Sequence, residues 1–88
     1  MKQYVYKTRG TCSKQIAFSL DGTVLHDVVY TFGCNGNTQG ISKLVEGMEM
    51  DKVIVLLKNI DCNGRGTSCP AQLAEALLAV KDGRLQEA

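Results

Sequence analysis

Tryptophan is absent, and 88 residues hold one proline, one histidine, three tyrosines and two phenylalanines. So few aromatics leave the core to Leu, Ile, Val and Ala. There is no run of Lys or Arg and the formal net charge is +1, which excludes the electrostatic footprint of a nucleic-acid or anionic-membrane binder. No apolar run approaches the roughly 20 residues that cross a bilayer. The opening Met1-Lys2-Gln3-Tyr4-Val5-Tyr6-Lys7 lacks the apolar stretch of a secretion signal. These absences lead to the expectation of a cytoplasmic protein with no nucleic-acid or membrane partner. The Walker spacing is missing around Gly64-Arg65-Gly66-Thr67, and no acid or histidine lies close in sequence to activate Ser68. Phosphate binding and serine catalysis are therefore set aside. His26 stands alone in an apolar run and reads as structural.

What the chain does carry is cysteine: Cys12, Cys34, Cys62 and Cys69. In a reducing compartment, four thiols in a small chain point to metal ligation or redox chemistry rather than to structural disulfides. All four fall at turns or element ends and none in an apolar stripe, which is not the pattern of core cysteines. They are separated by 21, 27 and 6 residues, so they do not form the paired C-x-x-C knuckles of a zinc ribbon. Any common site has to be assembled by the fold. The chain reads as one domain over 1–88, near the size at which a metal or disulfide often supplies the stability margin.

The stretch from Asp61 to Val80 puts Cys62 and Cys69 in a Gly-rich loop that runs into a helix. Pro70, the one proline, suits the first helical position, where its missing N–H would have had no partner. Cys69 then caps the helix, and the unpaired N–H groups and positive dipole end there favour thiolate over thiol. Upstream, Gln3 to Lys7 suits a short strand, and Arg9-Gly10-Thr11-Cys12-Ser13 a turn. From Lys14 to Leu20, Ile16, Phe18 and Leu20 alternate with Gln15, Ala17 and Ser19, the period of a half-buried strand. Asp21-Gly22 predicts a tight type I′ hairpin turn, with a return strand from Thr23 to Phe32 in which neither face is clearly polar. Gly33-Cys34-Asn35-Gly36-Asn37 breaks that strand.

Helical spacing then follows in three segments. Thr38 to Glu46 places Ile41, Leu44 and Val45 together before Gly47. Asp51 to Ile60 is ambiguous by propensity, but Val53, Leu56, Leu57 and Ile60 follow i, i+3, i+4, i+7. In the last helix Leu73, Leu77 and Val80 form the predicted buried stripe, with Gln72, Glu75 and Ala79 outward and Gly83 as terminator. Three strands followed by three helices imply an α+β fold, with the helices packed on one face of a three-stranded antiparallel sheet.

Gly66-Thr67-Ser68-Cys69-Pro70, followed by Gln72-Leu73-Ala74, resembles the TSCPD domain in its stand-alone, four-cysteine form. The likeness extends to Cys12, Gly33-Cys34 with Gly36-Asn37, Gly47, and Cys62 with Gly64 and Gly66; Ala71 stands where the motif has Asp. Larger relatives occur at the end of adenosylcobalamin-dependent ribonucleotide reductases, so the resemblance implies a partnership with such an enzyme. It does not imply a complete ribonucleoside-diphosphate reductase, because 88 residues cannot hold that catalytic barrel.

A fainter resemblance is to the NifU/IscU type of iron–sulfur scaffold, which also runs three strands and then helices. Its three cluster cysteines correspond to Cys12, Cys34 and Cys69. Lys14 and Ser68 stand where that scaffold has an acid and a histidine, and Cys62 adds a fourth soft ligand. This implies a closed four-thiolate site, holding zinc first and an iron–sulfur cluster second, and a cysteine desulfurase as another candidate partner. The rival reading is a thiol redox module that passes electrons to the reductase through Cys62 and Cys69.

Overall fold

The alternation in the second predicted strand becomes the middle of a sheet. The computed structural model describes residues 1–8, 14–31, 35–60 and 69–88, with the side chains of 35–37 left aside. The elements are β1 (Lys2–Lys7), β2 (Gln15–Asp21), β3 (Val24–Thr31), α1 (Asn35–Leu44), α2 (Met50–Leu57) and α3 (Cys69–Lys81). The sheet is antiparallel in the order β1-β2-β3, and the predicted α+β arrangement of three strands followed by three helices is the observed one. Cys12, Phe32, Cys34, Cys62, the Gly64-Arg65-Gly66 loop and Ser68 lie outside the described residues.

Ile16, Phe18 and Leu20 point into the core together with Tyr4 from β1 and Leu25 and Val28 from β3. Tyr4 and Phe18 are direct cross-strand partners, and their rings stack at 5.5 Å between centroids. The helices cover this face alone. On the other, the register row Val5, Ala17, Val29 leaves Val5 and Val29 exposed.

Two details of the hairpin differ from expectation. Asp21 pairs with Val24, so the two turn residues are Gly22 and Thr23, and of these only Gly22 has positive φ, at 63°. That is the pattern of a II′ turn, one residue later than the I′ turn read from Asp21-Gly22. Further along, Ser19 pairs with His26 and Ala17 with Val29, so Asp27 and Val28 together oppose Phe18 in a β-bulge. The extra residue resets the inward phase, which explains why β3 shows no clean alternation in sequence: Leu25 and Val28, three apart, both face the core.

Gly47, at φ 78°, turns the chain out of α1 into a short ribbon along the free edge of β3. Gly47 and Met50 donate to the carbonyls of Leu25 and Thr23, and Leu25 donates to Met48, each at 2.8 Å. This ribbon sets the rotation of α2. Its buried residues are Met50, Val53 and Ile54, with Leu57 partly buried, whereas Leu56 and Ile60 are exposed. The expected stripe through Leu56 and Ile60 is thus corrected to one that contains Ile54. In α1, likewise, Ile41 is partly buried but Leu44 is 78% exposed, and the helix ends there rather than at Glu46, with Val45 buried just beyond it.

α3 is the central helix, packed against both α1 and α2. Gln72 and Ala79, expected to face outward, are buried along with Ala71, Leu73, Ala74, Ala76 and Leu77. Small alanines let neighbouring elements approach it on several sides. Its end is a Schellman cap: Gly83 is at φ 75°, Arg84 N–H bonds the Ala79 carbonyl at 2.8 Å and Gly83 N–H the Val80 carbonyl at 3.2 Å. The tail then runs back to β1, where Ala88 N–H donates to Gln3 O at 2.7 Å.

Candidate functional site

Lys7, Gln15 and Thr31 stand side by side in the register of the three strands. Thr8 N–H donates to Lys14 O at 3.1 Å, and Lys14 N–H donates to Thr31 O at 2.8 Å. Thr8 and Lys14, on either side of the Cys12 segment, are thus bonded to each other, and Lys14 in turn to Thr31, the residue from which the chain leaves towards Cys34. The described residues on either side of Cys12 and the one that leads to Cys34 therefore meet at one end of the sheet.

A third anchor joins them. The hydroxyl of Tyr30, next to Thr31, donates to the backbone carbonyl of Cys69 at 2.9 Å. It is a contact across 39 residues, and it docks the first residue of α3 on the end of β3. Cys69 is half-buried. Burial, with a smaller electrostatic contribution from nearby Cys69, pushes the Tyr30 hydroxyl well above the usual phenol range. Tyr30 therefore keeps its proton and remains a donor. Ala71, in the first turn of α3, is only 4% exposed, so its methyl fills a position where a carboxylate would have to be desolvated.

Of the four predicted ligands, Cys69 belongs to the described residues; Cys12, Cys34 and Cys62 do not. Among the described residues no three His, Cys, Asp or Glu side chains gather as a metal site. The exposed Lys7 and Lys14 add positive charge at the same end of the sheet. Sequence reasoning did not assign Tyr30 a role at Cys69, because nothing local couples two residues so far apart.

A second polar cluster was also illegible in sequence. His26 Nδ1 and a Glu46 carboxylate oxygen lie 2.5 Å apart, and the other Glu46 oxygen accepts Asp27 N–H at 2.8 Å. His26 thus has a structural partner in Glu46, in the turn that follows α1. A cleft of about 390 Å³ opens at the Asp21–Gly22 hairpin, where Tyr4, Leu20, Met50 and Lys81 line it. It lies at the opposite end of the strands from Lys7 and Thr31.

No helix among the described residues is long and apolar enough to cross a membrane. No curated protein and no solved structure matches the chain. The model of one family, the TSCPD domain, matches residues 2–81, a span that takes in all three strands, all three helices and every cysteine, and on that match the chain belongs to the TSCPD domain family.

Proposed function

We propose that this chain is a small metal-binding protein in which Cys12, Cys34, Cys62 and Cys69 together hold one ion, zinc before an iron–sulfur cluster, in an accessory role to ribonucleotide reductase or to iron–sulfur metabolism. The supporting observation is the shared anchorage of three stretches: Thr8–Lys14–Thr31 through backbone hydrogen bonds, and Cys69 through Tyr30. Four soft thiolates suit zinc. Such a site would carry a net charge of about −2, for which Lys7 and Lys14 provide a favourable surrounding. What the metal supplies is a cross-link, on the order of 10 kcal/mol of folding free energy for a structural zinc, in a domain too small to draw much margin from its core.

Native mass spectrometry with metal analysis, on full-length protein prepared anaerobically, tests the proposal. One zinc per chain, with four thiols that become reactive only after chelation, is the expected result. Acid-labile sulfide with visible absorption would replace zinc by a cluster on the same ligands. A metal-free, fully folded chain would overturn the proposal, and two thiols that titrate reversibly would favour the Cys62/Cys69 redox module instead.

A further inference from the structure

We infer that Tyr30 is a positioning residue for Cys69, the part-buried hydroxyl that sets where the first residue of α3 stands relative to the end of β3. The inference rests on the four-cysteine metal reading and goes beyond it by assigning a residue that is not itself a ligand. The geometry is specific. A carbonyl in the first turn of a helix already accepts the N–H four residues on, and a second lone pair remains. The Tyr30 hydroxyl takes that lone pair at 2.9 Å, so this bond is not needed to satisfy the helix backbone. Its effect is to fix a location.

Tyr30 is well placed for this task because it comes just before Thr31, whose carbonyl receives Lys14 N–H. Two consecutive residues of one strand thus hold the helix terminus bearing Cys69 and the return of the Cys12 segment, and the next residues lead to Cys34. Tetrahedral thiolate sites tolerate only small errors in ligand position, and groups that orient ligands without touching the metal typically affect affinity by about 10–100-fold. Bonding the main chain of Cys69, rather than its sulfur, fixes the Cα while leaving the thiol available to the ion.

Tyr30→Phe removes the hydroxyl and little else. The experiment measures zinc affinity of the full chain by competition with a chromogenic chelator, and records the visible spectrum of the cobalt(II)-substituted protein. Leu25→Val serves as the comparison: Leu25 is fully buried in β3 but pairs with Leu20 at the far end of the strand, so it lowers stability without touching the anchorage. Tyr30→Phe is expected to bind one metal ion about 10–100-fold more weakly than wild type, with shifted cobalt bands, while Leu25→Val keeps the wild-type spectrum. Wild-type affinity and spectrum in Tyr30→Phe would overturn the positioning role alone. Equal weakening in both variants, without a spectral change in Tyr30→Phe, would reduce Tyr30 to ordinary packing and overturn it too. Failure of the wild-type chain to bind zinc or cobalt would instead overturn the metal reading on which the inference rests.

Discussion

Glu46 reaches back over 19 residues to accept the backbone N–H of Asp27 at 2.8 Å, and so ties the turn after α1 to the bulge in β3. Its second oxygen pairs with His26. The Asp27 N–H, and then the His26 ring, hold the Glu46 carboxyl below the usual carboxylate range. A depressed carboxyl stabilises the fold fully above its unfolded value, and that contribution is lost as pH falls through the lower folded value. Glu46→Gln is expected to melt below wild type at neutral pH by no more than a few degrees, since the side chain is exposed and screened. The difference should shrink as pH falls below the ordinary carboxylate range. Melting curves of both proteins across this acid range check the sign.

Asp27 is the only non-glycine residue with positive φ among the described residues, at 55°. Asp tolerates the left-handed region better than most side chains, and a β-branched one does not. Asp27→Val should destabilise the chain by about 1–2 kcal/mol, whereas Asp27→Gly should be near neutral because glycine adopts this φ freely. Urea unfolding of the two variants makes the comparison. Equal losses in both would mean that the aspartate side chain matters more than its backbone.

Ile54 and Leu56 are two residues apart on α2, yet Ile54 is 6% exposed and Leu56 56%. Ile54→Ala should cost about 2–5 kcal/mol through lost burial and the cavity it leaves. Leu56→Ala should change stability by no more than about 0.5 kcal/mol. Chemical denaturation distinguishes this rotation of α2 from the one that periodicity alone suggests, for which the order of the two losses would reverse.

Each of Cys12→Ser, Cys34→Ser, Cys62→Ser and Cys69→Ser should lower metal content and thermal stability, because hydroxyl is a poor ligand for a soft metal. Cys62→Ser carries the most information. Damage equal to the other three supports a closed four-thiolate site. Retention of metal in Cys62→Ser alone, read by metal analysis of the purified variants, would point to a three-cysteine scaffold with an open position.

Much of the architecture is legible along the chain because it depends on signals that act over a few residues. The alternation of Ile16, Phe18 and Leu20, Pro70 at the start of α3 and Gly83 at its end all report local backbone geometry, and β2 and α3 appear where those signals put them, whereas the Gly22 turn falls one residue later than its dipeptide suggests and α1 runs over Asn35–Leu44 rather than from Thr38 to Glu46. The four cysteines and the motif around Cys69 are likewise local, and they sufficed to indicate the family. Tertiary structure decided the rotation of α2, because the ribbon from Gly47 to Met50 bonds to β3 before the helix begins. It also decided the burial of Gln72 and Ala79, since a helix packed by two others has little outward face. The Glu46–Asp27 and Tyr30–Cys69 bonds join residues 19 and 39 apart. No periodicity encodes such pairs, because they form only when packing against a common core has brought distant strands and helix ends together.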